Sequence, residues 1–359
     1  MIALVSAPSN LGLRPPRPGT VPGTSKAPEA LREAGLHERF SAAGARDAGV
    51  VLPGRYVDDD ATRPAGRVRN ERALVEHSRR LARRLDEVLE AGDAPLVLGG
   101  DCSILLGAGL ALSRRGGSGL VHLDGHTDFR HPGNSEACAS VAGEDLAAAV
   151  GLHWPAIADL DGAGPYFDAA RAAHLGHRDD DEHADEARRT LGLVVSAAEA
   201  LAQPATRLAE LIRATAGSGY WLQLDVDLLD PSVMPAVDSP DPGGLDVDTL
   251  TTLPAELAPA AIGASVTVFD PDLDPDGRYA RLIAELVAEG FGGAGLRRVA
   301  LSPSASSQLE RLTARGGHAE CEAPDRRRST RPPWGGGSPW GDRLSLRTIR
   351  VARFGDERS

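Results

Sequence analysis

Gly119-Leu120-Val121-His122-Leu123-Asp124-Gly125-His126-Thr127-Asp128 is an apolar run that stops on three titratable residues spaced two apart. Such a run reads as a buried strand. A second one, Tyr220-Trp221-Leu222-Gln223-Leu224-Asp225-Val226-Asp227, stops the same way and runs on to Asp230-Pro231. Side chains alternate along a strand, so residues i, i+2 and i+4 share a face. Asp124, His126 and Asp128 are thereby expected to converge, and so are Asp225 and Asp227. Bringing these five groups together is too costly unless cations offset the charge. Four carboxylates and one imidazole suit two hard or borderline divalent metals, with manganese the first choice. The bland alternative, Asp as a helix cap or turn residue, suits Asp230-Pro231. It does not account for the repeated two-residue spacing.

Short apolar runs alternate with helical patterns from the start to about residue 290. Expected strands are 2–6, 48–52, 94–98, 119–124, 173–177, 192–195, 220–226 and 261–269. Expected helices are 27–33, 71–91, 103–114, 184–190, 205–215, 247–256 and 276–289. This alternation implies an α/β fold: three layers, αβα, around a mostly parallel eight-stranded sheet. In such sheets sites form beyond the carboxyl ends of strands, which is where both acidic motifs stand. His122 and His177 lie within apolar strands and read as core histidines with satisfied ring nitrogens.

The formal net charge of -12 argues against nucleic acid and anionic membranes as partners. No 18-residue apolar run is present, and the opening Met1-Ile2-Ala3-Leu4-Val5 reads as a first strand rather than a signal peptide. Cys102, Cys138 and Cys321 show no paired spacing, which fits a reducing cytoplasm. The chain changes character near Arg297. The stretch 297–359 is basic, carries Arg326-Arg327-Arg328 and Gly335-Gly336-Gly337, and has almost no apolar periodicity. It is expected to be a disordered tail behind one domain, 1–296; the alternative is a basic arm for an acidic partner. Ending the chain after Leu296 is expected to shift the melting temperature by less than about 2 °C and to leave activity unchanged. A large drop in a thermal melt would show that the tail packs on the domain.

The motifs resemble those of the arginase–agmatinase (ureohydrolase) superfamily over roughly residues 1–296. Members carry Gly-Gly-Asp-His-Ser, Asp-Ala-His-x-Asp and Ser-x-Asp-x-Asp-x-x-Asp-Pro. This chain has Gly99-Gly100-Asp101-Cys102-Ser103, then Asp124-Gly125-His126-Thr127-Asp128, then Gln223-Leu224-Asp225-Val226-Asp227-Leu228-Leu229-Asp230-Pro231. The resemblance implies a dimanganese site. Cys102, Asp124, Asp128 and Asp225 would hold one metal; His126, Asp124, Asp225 and Asp227 would hold the other. It implies hydrolysis of a C–N bond in a linear guanidine or amidine, releasing urea or a substituted urea and an amine. Asp128 and His126 would be the catalytic residues, with Asp128 shuttling a proton to the amine. It also implies a homo-oligomer, a trimer or hexamer.

The departures bear on substrate and metal. Cys102 stands where the family usually has a histidine, and thiolate is softer than manganese prefers; another divalent metal is then an option. The other reading of Cys102 is a small buried residue at a helix start. The place of an arginase substrate-gripping histidine falls on Ala142, and that of the guanidinium-pairing glutamate on Val268, with Asp270 the neighbouring substitute. Asp181, in Gly176-His177-Arg178-Asp179-Asp180-Asp181, matches the position that contacts a substrate amine. Arginase-type hydrolysis is the leading expectation, with an agmatinase, guanidino-acid or hydroxyguanidine hydrolase as alternative. A silent metal- or ligand-binding protein on the same fold is the competing class.

Overall fold

Ala94–Gly99 and Tyr220–Asp225 are buried at every position. That is why their sequences are apolar runs rather than alternations: central parallel strands are covered on both faces. The structure, a computed structural model, describes residues 1–292 and 295–297. The expected tail beyond Arg297 lies outside the described residues.

Eight strands form one sheet: β1 (Ile2–Ala7), β2 (Arg46–Val50), β3 (Ala94–Gly99), β4 (Leu120–Leu123), β5 (Ala172–Leu175), β6 (Leu193–Val195), β7 (Tyr220–Asp225) and β8 (Ala261–Thr267). Their order is β2-β1-β3-β8-β7-β4-β5-β6, and every pairing is parallel. All eight expected strands are present. Five of them, β2, β4, β5, β7 and β8, stop one or two residues earlier than expected. After β4 the Asp124 N–H still donates to Leu175 O, at 3.1 Å, and the chain then leaves the sheet. After β5, Gly176 takes a φ of 121°. A Cβ there would sit 1.8 Å from Leu228 Cδ1, so glycine is required for β5 to turn beneath the β7 loop.

The helices are α1 (Ala27–Glu33), α2 (Leu36–Ala42), α3 (Glu71–Glu90), α4 (Leu105–Ser113), α5 (Asp145–Ala149), α6 (Pro155–Ala158), α7 (Ala184–Thr190), α8 (Ala197–Leu201), α9 (Ala205–Ala216), α10 (Val247–Leu257) and α11 (Arg278–Gly292). The longest, α3, buries Leu74, Leu81, Leu85, Val88 and Leu89 on one stripe. The sequence reading missed α2, α5, α6 and α8; α5, α6 and α8 span only four or five residues, too few to display a helical period. Residues of α1, α2 and α8–α11 share a core with one face of the sheet. Residues of α3–α7 share a core with the other.

The order reverses in the centre, where β3, β8, β7 and β4 lie side by side. The ends of these four strands and the loops leaving them carry Cys102, Val268, Asp225 with Asp227, and Asp124 with Asp128. The candidate site is therefore a product of topology: a crevice opens beyond the strand ends where the winding switches direction.

Candidate active site

Asp124, Asp128, Asp225 and Asp227 are all buried, and His126 is partly buried beside them. Strand alternation does not bring them together, because β4 ends before Asp124. Two tight turns do. Asp124 Oδ1 accepts from His126 N at 2.8 Å, and Asp225 Oδ1 accepts from Asp227 N at 2.9 Å. Each Asp thus folds its own motif back on itself, an Asx turn. The motifs are tied to each other by Gly125 N, which donates to Asp227 Oδ1 at 3.0 Å. A Cβ on Gly125 would lie 2.7 Å from Asp227 O. His126 Nδ1 stands 3.0 Å from Asp227 Oδ2, and its Nε2 stands 3.0 Å from Asp241 Oδ2.

Cys102, Asp124 and Asp225 offer ligand atoms all within 4.8 Å of one another, and so do Asp124, His126 and Asp227. Asp124 belongs to both groups. A third group joins Asp128 to His122 and Asp145. The Asp124 Oδ2 atom is buried with no hydrogen-bond partner among the described residues. A buried carboxylate oxygen left bare beside other carboxylates is what a cation site requires of its protein half. The donors present therefore fit two divalent ions.

Cys102, Asp124, His126, Asp128, Asp225 and Asp227 border a cavity of about 400 Å³. The Arginase family profile matches residues 2–292.

The chain belongs to the arginase family.

It is 30% identical over 301 residues to the arginase of Bacillus caldovelox, covering 81% of this chain and 98% of that protein. The solved structure of that arginase matches with a TM-score of 0.73 at 29% identity, over 81% of this chain and 98% of that one. A formimidoylglutamase of Chromobacterium violaceum is 28% identical over 226 residues, covering 59% of this chain and 67% of that protein. As a family member the chain is a binuclear-metal hydrolase of guanidino C–N bonds.

The electrostatics of this arginase-family site are those of crowded carboxylates. Burial and the Asp227 charge push the Asp124 carboxyl up to about 7. Burial, then neighbouring carboxylates, push Asp128 and Asp225 well above the usual range. Burial would also raise Asp227, but the His126 ring beside it holds its carboxyl below the usual range. For His126 itself burial acts downward, and the Asp227 carboxylate overrides it, raising the ring to about 10.

Cys102 is buried, and its Sγ donates to Asp225 Oδ2 at 2.6 Å. Asp181 lines the cavity and grips the β4 loop: it accepts from Thr127 N and Thr127 Oγ1, each at 2.8 Å. Asp270 does not line it. Its two oxygens accept from Gly23 N at 3.1 Å and Asp272 N at 2.9 Å, so the carboxylate serves a loop junction rather than the substrate end. Ala142 and Val268 do line the cavity. Val268 holds a φ of 74°, a strained region for a β-branched residue, and its N–H donates to Gly100 O at 2.7 Å.

Sequence reasoning missed Arg178, Arg14 and Arg130. Arg178 Nη2 donates to Asp227 O at 2.9 Å and to Asp241 O at 2.8 Å, stapling the loops that surround His126. Its position in the Gly176-His177-Arg178 motif was the available signal. Arg14 and Arg130 line the cavity. A lone arginine in a loop carries no sequence signal of where its guanidinium points.

Proposed function

We propose that this arginase-family hydrolase acts on a linear guanidine that carries a carboxylate at its far end. The observation that supports the reading is Arg130. It borders the cavity two residues after Asp128 and has no ion-pair partner among the described residues; its buried Nε has no hydrogen-bond partner. Arg69, in the same wall, is by contrast paired with Asp60 and with Ser140 Oγ. A guanidinium fork with no counter-ion suits a planar carboxylate that enters with the substrate. A guanidine with an amine end would instead meet a like charge there.

In this reading Asp124, His126, Asp128, Asp225 and Asp227 would hold two divalent cations, with Asp124 and Asp225 shared by both. Oxygen and nitrogen donors favour manganese. The bound pair supplies Lewis-acid activation of water at neutral pH. The chain's own residues do the rest. Asp128, which lines the cavity beside the other carboxylates, would pass a proton to the departing amine. His126 is braced between Asp227 and Asp241, which sets its ring orientation. Asp181 keeps one oxygen lone pair beyond its loop bonds, enough to meet a substrate amine. The reading also includes a homo-oligomer in the cytoplasm. No helix among the described residues is long and apolar enough to cross a membrane.

The test is a panel of guanidines with manganese present, following urea release. Guanidino acids and arginine are expected to exceed agmatine, which lacks the carboxylate, by roughly 10–100-fold in kcat/KM. Arg130→Ala should erase that preference mainly through KM. Agmatine turned over as well as the acids by the wild type would overturn the substrate assignment.

A further inference from the structure

Beneath the acidic loops a row of polar side chains crosses the sheet on the α3–α7 face. Cross-strand register sets His122 on β4 between His174 on β5 and Gln223 on β7, and Gln223 beside Ser265 on β8. The row is wired. Trp221 Nε1 donates to Ser265 Oγ at 3.0 Å, and Ser265 Oγ donates to Gln223 Oε1 at 3.0 Å. Gln223 Nε2 then donates to Asp145 Oδ2 at 2.7 Å. Asp145, at the start of α5, is fully buried. The wiring fixes its carboxylate by one oxygen and leaves the other, Oδ1, with no hydrogen-bond partner among the described residues.

His122 is in the matching condition. Its Nδ1 stands 3.0 Å from His174 Nδ1, while its Nε2 is buried without a partner among the described residues. That Nε2 lies 3.6 Å from Asp145 Oδ1 and 3.5 Å from Asp124 Oδ2. Both distances are too long for hydrogen bonds. Ligand atoms of His122, Asp128 and Asp145 fall within 4.8 Å of one another. Bare buried polar atoms are rare in native interiors. Here two of them, from different elements, face each other beside Asp128.

The grouping differs from the one the family pattern leads one to expect. Asp128 should share its cation with Cys102, yet its carboxylate stands with His122 and Asp145 instead. The Cys102 thiol is occupied in donating to Asp225 Oδ2. We propose that His122 and Asp145 join Asp128 as ligands of the first cation, in place of Cys102. An imidazole nitrogen and a carboxylate oxygen suit a borderline or hard divalent ion better than sulfur does. In the tautomer whose Nδ1–H donates to His174 Nδ1, the Nε2 lone pair of His122 is free, the usual arrangement of a metal-bound histidine and its outer hydrogen-bond partner. The inference rests on the two-cation reading above. The competing occupant is a proton, which would make His122 an imidazolium between two carboxylates.

Metal stoichiometry separates these. Full-length protein is stripped with a chelator and titrated with Mn²⁺, measuring bound metal by elemental analysis and affinity by calorimetry. Wild type should bind about two ions. His122→Gln and Asp145→Asn should each keep one tight ion and bind the second at least about tenfold more weakly. Cys102→Ala should bind both as wild type does. Co²⁺-loaded wild type should show no thiolate-to-cobalt charge-transfer absorption. Circular dichroism of the metal-free variants checks the fold. If His122→Gln fails to fold, Asp145→Asn and the cobalt spectrum still decide. Undiminished binding of two ions by Asp145→Asn, or a thiolate–cobalt band that Cys102→Ala removes, overturns the proposal. Wild type that binds no metal would overturn the two-cation reading as well, and is thereby told apart from failure of the His122 assignment alone.

Discussion

Asp225→Ala is expected to release both cations and to lower hydrolysis by at least about a thousandfold, roughly 4 kcal/mol of barrier. Asp225 ends β7 in the middle of the sheet, and its two oxygens do different work. Oδ1 accepts from Asp227 N and so shapes the turn that delivers Asp227. Oδ2 takes the Cys102 thiol at 2.6 Å and Thr267 Oγ1 at 3.2 Å. Removing the carboxylate therefore takes away one ligand and loosens another. The same change should not weaken the metal-free fold at neutral pH. It relieves a buried group whose charge is unfavourable, since burial and neighbouring carboxylates raise the Asp225 carboxyl well above its usual range. Metal analysis and a thermal melt of the stripped variant check the two halves. Full metal occupancy in Asp225→Ala would contradict the bridging role.

The second large effect is the pH dependence of what the metals contribute. An ordinary aspartate titrates near 4, whereas Asp124 is raised to about 7 and Asp128 and Asp225 well above the usual range. Between those limits the metal-free folded protein holds protons that the unfolded chain has released. Its stability therefore falls as pH rises through that window. His126 acts in the same direction. Raised from 6.5 to about 10, it contributes stability in full below 6.5 and loses it as pH rises to 10. Cations compete with these protons, so manganese should stabilise more at pH 8 than at pH 5. With manganese at a hundred times its Kd, the gain is about 2.7 kcal/mol, or roughly 5–10 °C for a domain of this size. Melts of stripped and loaded protein at both pH values measure it. Four histidines whose rings burial holds below the usual range, His37, His77, His174 and His177, act the other way below pH 6.5. The decisive quantity is therefore the gain from manganese: a gain no larger at pH 8 than at pH 5 would contradict the crowding of buried carboxylates on which the site is built.

The eight strands, their parallel arrangement and the acidic motifs beyond β4 and β7 were legible in the chain itself. Those features are local: a buried parallel strand is a short apolar run, and a site at a strand end follows that run directly. The ordered motifs also pointed to the arginase family before any contact was known. The chain could not supply the way Asp124 and Asp225 reach their neighbours. Turns closed by their own carboxylates do it, where strand alternation was expected. Nor could it show that Asp270 is used at a loop junction, or that Arg130 borders the cavity without a counter-ion among the described residues. His122 is the clearest case. In sequence it is one polar residue in an apolar strand, and a satisfied core histidine is the natural expectation. Its condition depends on His174, Gln223 and Asp145, which stand 52, 101 and 23 residues further along the chain. Sequence by itself determined which residues are buried and in what order. Only the packed sheet decided which buried polar atoms find partners, because that depends on register between strands distant in the chain.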